Sequence, residues 1–234
     1  MNLFRVFLAI VACFAAGAHA GSNPDLILLA ATFNDRPPNA QIGTGGAING
    51  EPVSIPAQLQ AFVVPPGVLP TQALRITPLA SGSARLVRFE FLNSNEISAG
   101  NVVLSFVLKP AQLGRFLIGV REQGSAAESF VNMALLDNGS IAVSDAADPA
   151  GALIADYVAG ELLIFELRFR MDTTTYDIFL NGSAVASNRN HGIIARGVGA
   201  LLLGTDSTTV IGSNWFVDDV FAYRPDALFI NGFE

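Results

Sequence analysis

Alternation of apolar and polar residues restricts the fold of this chain more than any other feature. Between residues 163 and 171 every second side chain is apolar, and most of those between them are charged. Residues 85–91 and 115–121 repeat the pattern. A period of two predicts β-strands with one buried face, because a helix would scatter these residues around its circumference. Residues 102–108 are apolar on nearly both faces, which is typical of a central strand.

Two hairpins are predicted from their turn residues. Asp137-Asn138-Gly139 separates strands at 130–136 and 140–144, and Asn181-Gly182 separates strands at 175–180 and 183–187. Asn-Gly tolerates the positive φ angles of a type I′ turn. Further strands are predicted at 26–33, 59–64, 74–77, 153–157, 200–204 and 215–223, and Asn34–Pro52 is predicted to be a long loop. Many short strands without a helical period indicate an all-β, two-sheet antiparallel sandwich.

The N-terminal residues resemble a secretory signal peptide. Arg5 precedes an apolar stretch at 6–16, and Ala18-His19-Ala20 has the small-x-small pattern of a cleavage site. We therefore expect a signal peptide at 1–20 and a single β-sandwich domain at 21–234. An alternative interpretation makes Cys13 the acylated residue of a lipoprotein signal. Under the first interpretation the mature chain has no cysteine, which excludes disulfides and thiol chemistry.

Charge and hydropathy restrict the partners. The chain carries 13 Lys and Arg against 20 Asp and Glu, a net charge of −7, so nucleic acid and anionic membranes are not expected partners. After residue 20, apolar runs have the length of strands, which predicts no membrane span. We expect a secreted protein, either extracellular or periplasmic.

Several motifs together resemble the concanavalin A-like lectin and glucanase superfamily, particularly laminin G-like modules. They are Thr32-Phe33-Asn34-Asp35, Phe165–Phe169, Tyr176–Gly182 and Trp215–Val220. The resemblance implies a jelly-roll sandwich and carries little information about function. The end of the predicted C-terminal tail at 224–234, Leu228–Glu234, resembles a Gly-Phe-Glu tail of secreted Gram-negative bacterial proteins. It is alternatively a final strand that docks its Phe side chains on the sandwich.

No catalytic site is recognisable in the sequence. Glycoside hydrolysis needs two carboxylates across the scissile bond, and Glu90 and Glu96 are separated by what reads as a strand running into a turn. A serine hydrolase needs a histidine base beside its nucleophile, and His191 is the only histidine after the leader. Because the sequence has no Gly-x-Ser-x-Gly elbow to carry the nucleophile, His191 is predicted to be a solvated loop residue. Zinc is not expected, since one histidine without thiols cannot form the usual site.

Calcium is the one cofactor with support. Members of the resembled superfamily hold a structural ion near the sandwich rim, and Ca²⁺ takes carboxylate and carbonyl oxygens. Asp219 alternates with Val217 and Phe221 on a predicted inward face, Asp218 is adjacent, and Asp35 converges on them if the first and last strands pair. Hydrogen bonding of these carboxylates to the backbone is the alternative.

The superfamily resemblance, together with the lack of a recognisable catalytic motif, favours a non-catalytic binding or adhesion module that recognises a glycan or a cell-surface protein. Trp215 is the only tryptophan, and its alternation with apolar residues predicts a core position rather than a sugar-stacking platform. A structural or accessory envelope protein without a small-molecule ligand is the alternative, and a divergent glycan-active enzyme is a third hypothesis.

Overall fold

The computed structural model describes residues 27–40, 46–48, 51–80, 84–92, 96–123, 129–193 and 196–225. The predicted signal peptide at 1–20, Cys13 and most of the predicted tail at 224–234 lie outside the described residues. These parts of the sequence interpretation stay predictions.

The described residues form strands and almost no helix. In chain order the strands are β1 (Ile27–Ala31), β2 (Gly46–Ile48), β3 (Glu51–Ser54), β4 (Leu59–Val64), β5 (Ala73–Pro78), β6 (Arg85–Glu90), β7 (Asn101–Pro110), β8 (Phe116–Arg121), β9 (Ser129–Leu135), β10 (Ser140–Ser144), β11 (Ala152–Asp156), β12 (Leu163–Arg170), β13 (Thr175–Leu180), β14 (Ser183–Asn190), β15 (Ala200–Thr205) and β16 (Trp215–Tyr223). A 3₁₀ turn at Met171–Thr173 joins β12 to β13. Within this part of the chain, no helix has the length and apolar character to cross a lipid bilayer.

The strands form two antiparallel sheets. The first sheet has the order β14, β13, β12, β7, β16, β5 and β4, with β1 also paired to β16. The second sheet has the order β11, β10, β9, β8, β15, β6, β3 and β2. This confirms the predicted two-sheet antiparallel jelly-roll sandwich. The first and last strands of the described chain also pair, with Ala31 opposite Val220, which was the condition of the calcium hypothesis.

The alternating pattern places the core between the sheets. Along β12, Leu163, Phe165, Leu167 and Phe169 are buried, as predicted. β7 lies between β12 and β16 in the interior of the first sheet, the central position that its apolar sequence predicted. Aromatic pairs fill the interior: Phe106 stacks on Phe165 with ring centroids 5.1 Å apart, and Phe116 stacks on Trp215 at 4.8 Å. The predicted core position of Trp215 is confirmed, since its side chain is fully buried.

The two predicted hairpins have different turns. Asn181 and Gly182 adopt φ angles of 50° and 81°, the two positive values of a type I′ turn. In the other hairpin only Gly139 is left-handed, at φ 86°, and the amide of Gly139 donates to the carbonyl of Leu136. Asp137 adds a third residue to that loop, so the turn is of the type I form followed by a glycine bulge. The type I′ prediction is therefore wrong for this hairpin.

The predicted loop at Asn34–Pro52 contains strand structure. β2 pairs with β3, and β3 pairs with β6 through Val53 and Phe89. Strands of three and four residues are too short to show an alternating pattern, and Pro52 argued against a strand. Pro52 is compatible with β3 because it pairs only with Ala47 of the edge strand β2, whereas β6 contacts β3 through Val53 and Ser54.

A β-bulge interrupts β16 between Asp218 and Phe221. Asp219 takes the left-handed φ of 49°, so two residues instead of one separate the core side chains Val217 and Val220. The prediction that Asp219 simply alternates inward with Val217 and Phe221 is wrong for this reason. Asp218 is the more buried of the two carboxylates, with 2% of its surface exposed, while Asp219 is half-buried.

Candidate functional site

A surface pocket of about 570 Å³ opens where one end of β9 and β10 meets the segment that follows β14. We call it the Asn132 pocket. Its lining residues are Ser129, Asn132, Ser144, Asp145, Ala146, Pro149, His191, Gly192 and Ile193. The second sheet contributes the strand residues, and the first sheet contributes the segment after β14. The pocket therefore lies at the rim where the two sheets meet.

Strand register sets the polar side chains of the pocket. Asn132 on β9 lies opposite Ser144 on β10, so both side chains point to the same face of the second sheet. The hydroxyl of Ser129 donates to Oδ1 of Asn132 at 2.7 Å. This contact orients the exposed amide and leaves its nitrogen as a hydrogen-bond donor for a ligand.

Asp145 holds the β10–β11 connection against the first sheet. Its Oδ1 accepts hydrogen bonds from the amides of Ala147 at 3.0 Å and Asp148 at 2.9 Å. Its Oδ2 accepts from the hydroxyl of Tyr176 on β13 and, at 2.6 Å, from Nε of Arg189 on β14. One fully buried carboxylate thus fixes a loop of one sheet to two strands of the other.

The charge of Asp145 is compensated within this cluster. Burial alone would raise the pKa of Asp145, but the hydrogen bonds from Arg189, Tyr176 and the Asp148 amide lower it below its ordinary value of 3.8. The hydrogen bond to Asp145 in turn raises the pKa of Arg189. Burial and the neighbouring carboxylate raise the pKa of Tyr176, so its phenol stays protonated as the donor. Near neutral pH the cluster is therefore an ion pair that is hydrogen-bonded to a neutral phenol.

His191 forms part of the pocket wall and is not the solvated residue that the sequence predicted. Only 1% of its surface is exposed, and its ring centroid lies 5.1 Å from that of Phe130. Nδ1 accepts a hydrogen bond from the amide of Ile193 at 3.2 Å, so Nε2 carries the proton of the neutral ring. Burial lowers the pKa of His191 more than the charge of Asp145 raises it. The sequence-based prediction was wrong because packing on Phe130 cannot be read from the Asn190-His191-Gly192 turn.

Gly192 allows the two loops of the pocket to approach each other. A Cβ at this position would lie 2.5 Å from the Cβ of Ala146, and φ is 71°. Any other residue here would push the segment after β14 away from the β10–β11 connection. The two loops are therefore in direct contact at the wall of the pocket.

Two of the three carboxylates predicted to bind calcium, Asp218 and Asp219, lie away from this pocket on β16. Oδ2 of Asp218 accepts a hydrogen bond from the Thr71 hydroxyl, and its Oδ1 accepts from the amide of Asp219 at 2.8 Å. Burial raises the pKa of Asp218 to about 7; the Thr71 hydrogen bond lowers it in part, and the Asp219 charge raises it. Burial also raises the pKa of Asp219. Asp218 is therefore a buried carboxyl without a cationic partner among the described contacts.

Asp35 is exposed and lies 3.9 Å from the guanidinium of Arg36. Its neighbour Asn34 accepts hydrogen bonds from the amide and side chain of Gln72, which places the end of β1 beside the β4–β5 connection that carries Thr71. Across the described ranges, no group of three or more His, Cys, Asp or Glu side chains is arranged around a common metal position. Calcium binding by Asp35, Asp218 and Asp219 stays a prediction.

The carboxylates considered for hydrolysis have other contacts. Glu90 forms an ion pair with Arg88 at 2.7 Å on the same strand. Oε1 of Glu96 accepts a hydrogen bond from the amide of Gln123 at 2.7 Å. Each therefore has a structural role, and these contacts do not pair the two side chains across a cleft.

The pocket residues other than His191 escaped the sequence analysis. Asn132 and Ser144 occupy polar positions of alternating strands, and this pattern does not distinguish a binding residue from an ordinary solvated one. Asp145 and Arg189 are 44 residues apart in sequence. In the sequence, only the polar residues at the ends of β10 and β14 pointed to Asp145 and Arg189.

Comparisons with known proteins identify the fold. The chain superimposes on 19% of a sialidase chain, with a TM-score of 0.59, 11% identity and 81% of this chain covered. It superimposes on the binding domain of botulinum neurotoxin serotype D with a TM-score of 0.54 and 14% identity over 86% of this chain and 49% of that chain. The serotype D ligand-binding domain in complex with N-acetylneuraminic acid gives 0.52 and 13%, over 86% of this chain and 48% of that chain.

The chain thus spans about half of the toxin domains and a fifth of the sialidase. No protein-family model matches the chain, and no curated protein matches it. At these identities the likeness shows a shared β-sandwich fold and nothing finer. The jelly-roll part of the predicted resemblance is confirmed, and the laminin G-like assignment stays a prediction.

Proposed function

We propose that this protein is a secreted, non-catalytic module that binds glycans at the Asn132 pocket. The observation that carries the proposal is the pair of side chains Asn132 and Ser144, which strand register sets side by side on a rigid surface. Sugars are recognised by amide and hydroxyl groups held in fixed positions, because preorganised groups lose little entropy on binding. The Asp145–Arg189 ion pair supplies the rigidity beneath them.

The fold comparisons support the same proposal. A toxin ligand-binding domain of this fold is known in complex with N-acetylneuraminic acid. The sandwich of the present chain is thus compatible with carbohydrate recognition. The predicted signal peptide is the basis for proposing secretion.

The proposal is tested by screening the mature protein from Gly21 against polysaccharides and a glycan array, with calcium and again with chelator. Selective binding is expected, and Asn132→Ala should weaken it about fivefold to tenfold through the loss of one or two hydrogen bonds. Ser207→Ala is the control, since this exposed residue follows Asp206, which pairs with Arg115 at the far end of β8. Binding that is equal in the Asn132→Ala variant would refute this pocket.

An accessory envelope protein is the second candidate, and one observation favours it. Leu153 on the edge strand β11 and Val158 just beyond it are each 66% exposed. Exposed apolar side chains at a sheet edge are suited to contact with another protein. A negative glycan screen in both calcium and chelator, together with copurification with envelope proteins that Leu153→Asp abolishes, would establish this candidate instead.

A glycan-active enzyme would release reducing ends from a polysaccharide. We expect no such release. Activity that is lost in the variants Glu90→Gln, Glu96→Gln or Asp218→Asn would overturn the non-catalytic proposal.

A further inference from the structure

Arg121 on β8 lies on the same outer face of the second sheet as the polar residues of the Asn132 pocket. The alternate side chains of β8 that fill the core are Phe116, Ile118 and Val120. The residues between them therefore face outward. In the register of β8 and β9, Arg121 is opposite Ser129, and Gly119 is opposite Asn132. The pocket thus has an arginine beside it, on the strand next to β9.

The side chain of Arg121 lies back along β8 over Gly119. A Cβ at Gly119 would be 3.9 Å from Nε of Arg121. Because glycine has no side chain, the guanidinium side of Arg121 can lie close to the sheet at the position directly opposite Asn132. Directly opposite residues of antiparallel strands have Cα atoms about 4.5 to 5.5 Å apart. The arginine and the Asn132 amide are therefore neighbours on one surface.

Arg121 differs from Arg88 and Arg189 in having no carboxylate partner. Arg88 pairs with Glu90 at 2.7 Å, and Arg189 pairs with Asp145 at 2.6 Å. Among the described contacts Arg121 forms no ion pair, and its buried Nε has no hydrogen-bond partner. A buried donor without a partner has lost its hydration without compensation. The residue as a whole is half-buried, so part of the side chain is accessible from this face.

An anionic group on a sugar supplies the partner that Arg121 lacks. The guanidinium presents its N–H donors in a fork that matches two oxygens of a carboxylate or sulfate. Beside it, the amide nitrogen of Asn132 is available for another oxygen of the same sugar, because its Oδ1 accepts from Ser129. Asp145, the carboxylate in the pocket lining, does not oppose an anion, since Arg189 balances its charge.

The net charge of the chain does not exclude such a ligand. The charge of −7 is the sum over the whole chain. Repulsion between exposed charges is largely screened beyond about 8 Å at physiological ionic strength. A hydrogen bond between Arg121 and an anionic sugar is a direct contact and is much less screened. The acidity of the chain therefore disfavours polyanions more than a single acidic sugar.

We infer that the Asn132 pocket binds a glycan whose contacted sugar carries a carboxylate or a sulfate, and that Arg121 pairs with this anionic group. The inference rests on the proposed glycan-binding function. It names the chemical class of the ligand and adds one binding residue outside the pocket lining.

The test uses immobilised glycan pairs that share one neutral core and differ by a terminal carboxylated sugar or by a single sulfate. In biolayer interferometry the mature protein from Gly21 should bind the acidic member of at least one pair about tenfold tighter or more. The two kinds of pair distinguish carboxylate from sulfate. Neutral members that bind as tightly as acidic ones, with binding that Asn132→Ala weakens, would overturn the inference and leave the proposed function standing. Binding to no pair, or binding that Asn132→Ala does not weaken, would refute both.

Variants of Arg121 test its role directly. Arg121→Gln removes the charge and should reduce the preference for the acidic member to about twofold or less, whereas Arg121→Lys keeps the charge without the fork and should retain an intermediate preference. The control Arg168→Gln makes the same charge change on the outer face of the first sheet, where Arg168 pairs with Glu166, and should leave the preference unchanged. Circular dichroism identical to that of the unmodified protein shows that each variant is folded. A preference that Arg121→Gln leaves as large as before would overturn the inference.

Discussion

Asp145 and Asp218 are both buried carboxyl groups, yet their pKa values are shifted in opposite directions. Asp145 receives a guanidinium, a phenol and two backbone amides. Asp218 receives one hydroxyl and one backbone amide. Burial raises the pKa in both cases, and only the contacts of Asp145 outweigh it. The partners of a carboxylate, more than its burial, therefore decide its protonation state.

The two environments have different consequences for the protein. The Asp145 cluster joins loops and strands of both sheets, so its charge stabilises the rim that carries the Asn132 pocket. Asp218 lies at the bulge of β16 and, as an ion, opposes folding. Four experiments separate these roles, from the largest expected effect to the smallest.

Asp145→Asn should lower the free energy of unfolding by about 4 kcal/mol at pH 7, because removing one partner of a buried ion pair leaves the other uncompensated. Urea denaturation followed through the fluorescence of the buried Trp215 measures this loss. Asp148→Asn is the control, since its contact with Arg189 is longer and partly exposed, and it should change stability by about 0.5 kcal/mol or less. A loss below about 1 kcal/mol in Asp145→Asn would contradict the structural role of the pair.

Asp218→Asn should stabilise the protein at pH 8. The folded-state pKa of about 7 lies above the ordinary value of 3.8, so the native state binds the proton more tightly and the free energy of unfolding falls as pH rises from about 4 to about 7. Since one pKa unit corresponds to about 1.4 kcal/mol, the variant should gain on the order of 3 kcal/mol at pH 8 and little at pH 3.5. Asp137→Asn is the control and should gain nothing at either pH. An Asp218→Asn variant that is less stable than the wild-type protein at pH 8 would contradict this account.

Calcium binding at Asp218 and Asp219 would remove the contrast between the pKa shifts of Asp145 and Asp218. A bound divalent cation favours ionised carboxylates, so calcium should abolish the pH dependence described above. The calcium hypothesis predicts a Tm about 3 °C or more higher with calcium than with chelator, measured by calorimetry, and no difference in Asp219→Ala. Equal Tm values for the unmodified protein would refute calcium binding.

Removal of one hydroxyl donor from each carboxylate gives the smallest effects. Tyr176→Phe and Thr71→Val should each cost about 1 kcal/mol near neutral pH. Only Thr71→Val should raise a carboxyl pKa within the neutral range, because Asp218 then loses a hydrogen bond that lowers its pKa. Asp145 retains its contact with Arg189 in Tyr176→Phe. Thr71→Ser keeps the hydroxyl and should behave like the unmodified protein. If the free energy of unfolding depends on pH in the same way in Thr71→Val and Thr71→Ser, the role of this hydrogen bond is contradicted.

Long alternating segments were predictable because alternation records burial directly. The predicted ranges 59–64, 140–144, 175–180 and 215–223 coincide with β4, β10, β13 and β16. β2 and β3 were missed, since strands of three or four residues carry no periodic signal. The bulge at Asp219 was missed because alternation assumes regular pairing, and one extra residue shifts every side chain after it.

The sequence by itself determined the fold class, the core stripes and the position of the Asn181-Gly182 turn, because each depends on residues close together in the chain. Tertiary structure alone decided that His191 is buried, that Asp145 meets Arg189, and that Asn132 and Ser144 share a pocket with the segment after β14. These facts depend on how two sheets pack, and the packing brings together residues that no local pattern connects. The candidate site arises from that packing, since its polar groups acquire a common surface only when both sheets are in place.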